Sequence, residues 1–217
     1  MGYHSDAVGA ELPQVNREEF ARRLASISPE PLSPTAIESL FLHYQELRRW
    51  NRRLSLVGPG TSQSVIERHY GESLAALPLL PSGPGVLLDL GSGAGFPGIA
   101  LAAARPQLRV VLTDARERKW AFLMNACRRS ALPCECSNAR VVQPLPAGLP
   151  SMLDVITLRA LKLPRQTWQA LLERLSPQGR ILSWTAAGAE PLPAPLRTGR
   201  RIALPGSDRR EIVEFVP

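Results

Sequence analysis

The 217-residue sequence has few cysteines and no long hydrophobic run. Its three cysteines, at positions 127, 134 and 136, are an odd number without the paired spacing of a zinc site, which argues against disulfides and a bound metal. No run of roughly 18 or more apolar residues occurs, and residues 1–14 lack the basic and apolar regions of a signal peptide. We therefore expect a cytoplasmic protein that uses neither a metal nor a membrane.

Acidic residues are outnumbered: 19 Asp and Glu face 26 Lys and Arg, so the formal net charge is +7. Most of the excess is arginine, whose guanidinium suits phosphate groups and guanine edges. Four arginines surround Trp50 near the end of a predicted helix: Arg48, Arg49, Arg52 and Arg53. They suit the partial negative charge of a helix C-terminus and equally a phosphate backbone. Charge alone therefore leaves open both a nucleic-acid partner and a merely solvated basic surface.

The most informative stretch is 86–102, VLLDLGSGAGFPGIALA. An apolar run ends in Asp89, glycines follow at positions 91, 93, 95 and 98, and an Ala- and Leu-rich pattern begins directly afterwards. This order predicts a strand, a tight glycine turn and a helix. Glycine lets the backbone take a positive φ and lets a ligand approach without meeting a Cβ, and the helix N-terminus adds free N–H groups. The stretch therefore predicts a pocket for a nucleotide-like cofactor.

Helical patterns dominate the chain before this stretch. Apolar residues recur every three or four positions in the segments 16–27, 34–54 and 64–80, which predicts three amphipathic helices. His69 and Glu72 lie three residues apart in the third segment. A metal would need further ligands, so we expect this pair to hydrogen-bond on the helix surface.

Strands alternate with helices after residue 102, which predicts a mostly parallel sheet with helices on both faces. We expect an N-terminal helical extension, residues 1–83, packed on an α/β domain, residues 84–217. In such a sheet the ligand lies at the carboxyl ends of the first strands, where the glycine turn and Asp114 meet. The predicted helices are 116–130 and 165–175, and the predicted strands are 108–113, 134–137, 153–158, 179–184 and an antiparallel pair, 200–204 with 211–216.

Two aspartates bear on the identity of the cofactor. The last three glycines of the turn fit the G-x-G-x-x-G pattern, and Asp114 follows about twenty residues later, as in nicotinamide dehydrogenases. Asp89, however, would repel a pyrophosphate, whereas it would attract the cationic methionyl group of S-adenosylmethionine. Asp114 can accept hydrogen bonds from ribose hydroxyls in either case, and it can also cap the helix that follows. The charge of Asp89 therefore favours S-adenosylmethionine.

Two segments, DLGSGAGFPGIALA from Asp89 and LTDARERKWAFL from Leu112, resemble the bacterial small-subunit ribosomal RNA (guanine-N7) methyltransferases. This is the RsmG family, also described as glucose-inhibited division protein B. The Phe96-Pro97-Gly98 ending of the turn is more specific to the family than the glycines are. The resemblance runs from about Tyr44 to Gly188, and its other parts are YQELRRWN at 44–51, ERHYGESL at 67–74, NAR at 138–140 and LRA at 158–160.

The resemblance implies a class I S-adenosylmethionine-dependent methyltransferase, with a Rossmann-like α/β fold and an N-terminal helical extension. It implies methyl transfer to N7 of a guanine in 16S rRNA, with 16S rRNA or the 30S subunit as partner of a monomeric protein. Guanine N7 has a lone pair and no proton, so no general base is expected, and Arg140 and Arg159 are expected to position the substrate. The expected cofactor-binding residues are Asp89, Gly91, Ser92, Gly93, Gly95, Phe96, Pro97, Asp114, Ala139 and Arg140.

The chain also departs from the family pattern. Val141 and Val142 stand where acidic residues are usual, and the segment 184–188 lacks a usual lysine. Two other hypotheses therefore stay open: a methyltransferase of the same fold that acts on another RNA or a small molecule, and a non-catalytic RNA-binding protein of ribosome assembly. The intact glycines and both aspartates argue against the second of these, because a pocket that binds no cofactor does not need them.

Overall fold

The computed structural model describes residues 9–189 and 195–217. Its strands are β1 (Gly85–Leu90), β2 (Leu108–Thr113), β3 (Glu135–Ser137), β4 (Leu153–Arg159), β5 (Leu175–Ala186), β6 (Arg197–Ala203) and β7 (Arg210–Val216). They form a seven-stranded sheet in the order β3-β2-β1-β4-β5-β7-β6. Strands β1 to β5 run parallel, while β7 is antiparallel to both β5 and β6. The mostly parallel sheet and the closing antiparallel pair are thus confirmed.

Helices precede the sheet and connect its parallel strands, except that a loop joins β3 to β4. The first two helices begin as their sequences predict, because the side chain of Asn16 accepts the Glu19 N–H at 2.8 Å and that of Ser33 accepts the Ala36 N–H at 3.1 Å. The helices are α1 (Arg17–Ile27), α2 (Pro34–Leu54), α3 (Pro59–Ser62), α4 (Glu72–Leu74), α5 (Gly98–Ala104), α6 (Glu117–Arg129) and α7 (Arg165–Leu172).

The prediction of one continuous helix over 64–80 is wrong. The chain instead forms a π-helical turn at Ile66–Gly71, the short α4, and a 3₁₀ turn at Leu77–Leu79. Gly71 lies where α1 packs closely, and a Cβ there would come within 2.8 Å of the Ile27 Cδ1 atom. Pro78 then lacks the N–H that a continuing helix needs. The backbone nevertheless stays helical through Gly71, with φ −58° and ψ −47°, so the segment changes its winding there and becomes a 3₁₀ turn only at Leu77–Leu79, which contains Pro78.

Strand β5 starts four residues earlier than predicted, and α7 ends at Leu172. The reason is a register shift along β4: Leu153 pairs with Leu175, whereas Val155 pairs with Arg180. The extra residues of β5 between these pairs form an irregularity of the kind that bends a strand. Hydrophobic periodicity carries no signal for such a shift.

The N-terminal helices and the sheet share one hydrophobic core. Phe20, Tyr44 and Tyr70 are fully buried, and the ring centroid of Phe20 lies 5.2 Å from that of Tyr44 and 5.3 Å from that of Tyr70. The same cluster includes Ile99 of α5 and Phe122 of α6. The helical segment is therefore anchored on the helices beside the glycine turn, while the division at residue 83 stays a prediction.

Candidate active site

A cavity of about 610 Å³ opens at the carboxyl ends of β1, β2 and β4. The strand order reverses here, since β2 lies on one side of β1 and β4 on the other. In open α/β sheets, ligands bind at such a switch point. Four of the predicted cofactor-binding residues lie on its wall: Gly91, Asp114, Ala139 and Arg140.

The first half of the glycine turn is tied to the end of β2. Gly91 lines the cavity with φ +69°, a left-handed conformation that favours glycine. Ser92 donates its backbone N–H to the Thr113 carbonyl at 2.8 Å, and its hydroxyl accepts the Thr113 N–H at 3.2 Å. The Gly93 N–H donates to Asp114 Oδ2 at 3.1 Å. Ser92 and Gly93 thus hold the turn, while Gly91, whose N–H donates to Thr113 Oγ1 at 3.3 Å, brings no side chain to the cavity.

The second half of the turn faces the N-terminal helices. The Phe96 ring meets Tyr70 edge-on at a centroid distance of 4.8 Å and His43 at 5.4 Å. Gly95 has φ +88° and no room for a side chain, and the peptide bond before Pro97 is cis. These residues fix the turn against the helical segment. Contact of Gly95, Phe96 and Pro97 with a cofactor stays a prediction.

His43 links α2 to the glycine turn, and sequence reasoning missed it. Its Nδ1 lies 2.7 Å from the Tyr70 hydroxyl and its Nε2 lies 3.1 Å from the Ala94 carbonyl oxygen. Burial lowers the pKa of His43 to about 4, against the opposing effect of the Ala94 hydrogen bond, so the ring is neutral at pH 7. A neutral ring can donate to that carbonyl and accept from the tyrosine. The signal in the sequence is a histidine on the apolar face of α2, between Leu40 and Leu47.

Asp89 lies beneath the turn, outside the cavity wall that the described residues form. Its carboxyl is fully buried: the Thr157 hydroxyl donates to Oδ1 at 2.7 Å, and the Gly98 N–H donates to Oδ2 at 3.1 Å. Burial raises the pKa of Asp89 to about 6, against the opposing effect of these hydrogen bonds. Asp89 therefore holds the start of α5 and places a titratable group under the turn. Its direct contact with a cofactor stays a prediction.

Asp114 is buried at the end of β2 and is already engaged by a neighbour. Its Oδ1 accepts the Arg116 backbone N–H at 2.9 Å and the Arg116 Nε at 3.0 Å. Burial disfavours the charged form, but the hydrogen bonds and the charges of Arg116 and Lys119 outweigh it and hold the pKa of Asp114 below its usual value. Helix α6 starts at Glu117 without a side-chain cap, so Asp114 closes the turn before the helix and is not its N-cap. Arg116 occupies oxygens that ribose hydroxyls would need.

The two arginines predicted to position a substrate lie in different surroundings. Arg140 is exposed at the first cavity, and within residues 9–189 and 195–217 it forms no side-chain hydrogen bond or ion pair. Arg159 lies at the end of β4, where its Nη2 donates to Glu72 Oε2 at 2.6 Å and to the Arg68 carbonyl at 3.1 Å. The structure therefore does not bring the two side chains onto one wall.

Arg159 lines a second cavity of about 370 Å³ together with Glu72, Arg68, Arg210 and Trp184. Ala160 lies on the walls of both cavities, so the two are neighbours.

The prediction of a surface hydrogen bond between His69 and Glu72 is wrong. His69 Nε2 instead lies 3.0 Å from the Thr61 hydroxyl, and Glu72 is buried among arginines. The π-helical winding at Ile66–Gly71 gives these two side chains separate surroundings.

The loop after β4 supplies wall residues that sequence reasoning did not assign. Ala160 has φ +54°, and Leu161 and Lys162 follow it along the first cavity. Lys162 is one of two lysines in the chain and lies four residues after the end of the predicted strand 153–158, which is the signal that marks it.

The described ranges 9–189 and 195–217 hold no group of three or more His, Cys, Asp or Glu side chains arranged to bind a metal ion. Among the helices in these same ranges, none has both the length and the apolar character for crossing a membrane. Cys127 Sγ and Cys136 Sγ lie 3.9 Å apart as free thiols.

Comparison with known proteins gives concordant matches. A family model described as rRNA small subunit methyltransferase G (GidB) matches residues 36–190. The "Ribosomal RNA small subunit methyltransferase G" of Desulfotalea psychrophila is 44% identical over 92 residues, 42% of this chain and 42% of that protein. The protein of that name from Paramagnetospirillum magneticum is 36% identical over 154 residues, 70% of this chain and 65% of its own length. The match thus spans less than two thirds of either relative.

A crystal structure of a SAM-dependent methyltransferase from Aquifex aeolicus is similar with a TM-score of 0.55. The likeness covers 71% of this chain and 93% of that one at 17% sequence identity. At this identity it concerns the fold alone, and it confirms the predicted Rossmann-like methyltransferase fold.

Proposed function

The chain belongs to the rRNA small subunit methyltransferase G family, and on that premise we propose that it methylates N7 of a guanine in 16S rRNA, using S-adenosylmethionine. One observation carries the proposal. The family match covers the glycine turn, Asp114 and Arg140, which meet around one cavity at the switch point of the sheet. The proposal includes a cytoplasmic, monomeric protein, as the sequence predicts.

The residues of the first cavity fit S-adenosylmethionine. The volume of this cavity, about 610 Å³, falls in the range of small-molecule sites. Gly91 brings no side chain to the cavity, and the Asp114 carboxylate can accept hydrogen bonds from two ribose hydroxyls once Arg116 moves. Val141 and Leu161 add apolar wall, which suits an adenine ring. These residues would hold the cofactor.

S-adenosylmethionine, when bound, supplies an electrophilic methyl group on a sulfonium. Guanine N7 carries an exposed lone pair and no proton, so the protein has to align the base and exclude water without removing a proton. Arg140 is free to contact the RNA at the cavity, through a phosphate or guanine O6, and either contact leaves N7 accessible. Arg159 would act from the neighbouring cavity.

The experiment that tests the proposal is a methyl-transfer assay with labelled S-adenosylmethionine. The purified protein is incubated separately with 30S subunits, naked 16S rRNA and a small-molecule extract, and any labelled nucleotide is mapped. We expect label on a single guanine of 16S rRNA that becomes sensitive to cleavage at 7-methylguanosine. Label only in the extract would replace the proposed acceptor. If no arm becomes labelled, the proposal that the protein is a methyltransferase is contradicted.

A further inference from the structure

Three arginines surround one buried carboxylate beside the first cavity. Glu72 is 1% exposed, and its two oxygens face Arg159 Nη2 at 2.6 Å, Arg68 Nε at 3.2 Å and Arg210 Nη1. We call Arg68, Arg159 and Arg210 the arginine cluster. Three positive charges meet one negative charge, so the arrangement carries a net charge of about +2 in a partly dehydrated place.

Each member of the arginine cluster also has a buried nitrogen without a hydrogen-bond partner. These atoms are Arg159 Nη1, Arg210 Nη2 and Arg68 Nε, the last of which still lies 3.2 Å from Glu72 Oε1 in an ion pair. Elsewhere in the described part of the chain, the Ser130 hydroxyl is the remaining buried side-chain atom of this kind. Buried donors normally find partners, and leaving them unpaired costs stability. Two guanidinium nitrogens without any partner, beside a third that has only an ion pair with the same single carboxylate, therefore indicate a missing anionic partner.

The surroundings show how strongly positive this place is. The pKa of the adjacent His69 is lowered to about 3, mainly by burial and in addition by the charges of the three arginines. Burial and its two cationic neighbours also lower the pKa of Arg159, against the effect of Glu72. One carboxylate does not neutralise the group.

The arginine cluster is accessible from the second cavity. Its side chains are 32%, 21% and 23% exposed for Arg68, Arg159 and Arg210, whereas Glu72 lies behind them. Trp184 forms part of the wall and is fixed by its Nε1, which donates to the Glu72 carbonyl at 2.7 Å. A ligand entering this cavity meets guanidinium groups before it meets the carboxylate.

We infer that the arginine cluster binds one phosphate group next to the methyl-transfer cavity, and that under the proposed function this phosphate belongs to the RNA backbone near the target base. A phosphodiester shares one negative charge between two non-bridging oxygens, which match planar guanidinium donors. Ala160 separates the two cavities, so a phosphate held in one fixes a base placed in the other. This inference rests on the proposed function only for the source of the phosphate.

The first test uses inorganic phosphate and needs no RNA. Phosphate is titrated against chloride at constant ionic strength, and the midpoint of thermal unfolding is followed. Wild-type protein should be stabilised by phosphate, and the Arg68→Gln/Arg210→Gln variant should lose this response. Arg201→Gln is the matched control, because Arg201 is an exposed arginine on β6 that pairs with Glu211. The control should respond as the wild type does.

The second test uses a fluorescent fragment of 16S rRNA and measures binding by anisotropy over a range of salt concentrations. Arg210→Gln should lower the slope of log affinity against log salt by about one, the effect of one lost phosphate contact. Added phosphate should compete with the fragment on wild-type protein and not on the variant. Phosphate stabilisation that depends on the cluster without any change in RNA binding would assign the site to a small phosphorylated ligand.

Glu72→Gln separates ligand binding from a purely structural role. Loss of the carboxylate leaves the cations unneutralised, so phosphate and RNA should bind more tightly to this variant while both arginine variants bind less tightly. A structural role predicts weaker binding in all of them. If Glu72→Gln does not fold, the Arg210→Gln comparison still decides, because Glu72 keeps two arginine partners there.

The inference and the proposed function can fail separately. Methyl transfer to 16S rRNA by the wild type, with phosphate response and RNA salt slope equal in wild type and Arg210→Gln, would overturn the phosphate site and keep the function. A phosphate response that the double variant loses, together with no methyl transfer to any RNA, would keep the site and overturn the function.

Discussion

The buried carboxyl of Asp89 should make protein stability depend on pH in a direction that is unusual for an aspartate. Burial raises its pKa to about 6 from an ordinary value of 3.8. Between these two values the folded protein binds more protons at this site than the unfolded chain does, so the free energy of unfolding falls as pH rises through that window. A difference of about two pKa units corresponds to about 3 kcal/mol at pH 7.

Asp89→Asn removes this dependence because an amide does not titrate. The variant loses the hydrogen bond from the Gly98 N–H, which costs about 1–3 kcal/mol at every pH, but it keeps an acceptor for Thr157. Urea unfolding followed by tryptophan fluorescence, repeated from pH 4 to pH 7.5, gives the free energy of both proteins. The stability of the variant relative to wild type should rise by about 2.5 kcal/mol across this range. Asp208→Asn, which removes an exposed carboxylate, is the control, and a difference that stays constant with pH would refute the reasoning.

The same variant tests whether the charge of Asp89 is felt by the cofactor. A cationic cofactor stabilises the ionised carboxylate, so the affinity of wild-type protein for S-adenosylmethionine should rise between pH 5 and pH 7 by calorimetry. Asp89→Asn should bind more weakly and lose that rise. Weaker binding with the rise intact would limit Asp89 to holding the turn.

Three further substitutions probe the first cavity and the start of α5. Arg116→Ala frees Asp114 from an ion pair that is worth at most about 1 kcal/mol, because the arginine is 65% exposed. Calorimetry should therefore give up to about fivefold tighter S-adenosylmethionine binding. Weaker binding would instead show that Arg116 contacts the cofactor. Gly98→Ala puts a Cβ 2.3 Å from the Leu112 Cδ2 atom and should cost about 1–3 kcal/mol of stability in urea, whereas an unchanged midpoint would contradict that clash. Arg140→Ala should slow methyl transfer to 30S subunits by about 10- to 100-fold and weaken cofactor binding less, and equal losses would assign its side chain to the cofactor alone.

The parts of the fold that local pattern controls were predictable. Alternating strands and helices after residue 102 give the parallel sheet, and the glycines with Asp114 locate the cavity at its switch point. The role of Asp89 was harder, because its partners Thr157 and Gly98 lie on other elements. A sequence shows that a carboxylate precedes the turn, but not that protein donors already occupy both of its oxygens.

The arginine cluster could not be predicted for a related reason. Arg68 lies in the π-helical turn Ile66–Gly71, Arg159 ends β4 and Arg210 begins β7. Each therefore lies more than 50 positions from the next along the chain. Taken singly, each resembles an ordinary basic residue of an arginine-rich chain. Only the pairing of β5 with β7 and the π-helical winding at Ile66–Gly71 bring them to one carboxylate.

The N-terminal helices therefore contribute to the site itself. Tyr70 and His43 hold Phe96 and the glycine turn from one side, and a few residues from Tyr70 the same segment supplies Arg68 and Glu72 to the second cavity. A helical segment that only stabilised the sheet would need its apolar face alone. The helical segment that carries Tyr70 both packs against the glycine turn and brings Arg68 and Glu72 into the second cavity. A shift of this segment therefore moves the glycine turn and the arginine cluster together. This couples the position of the glycine turn to the position of an anion bound by the cluster.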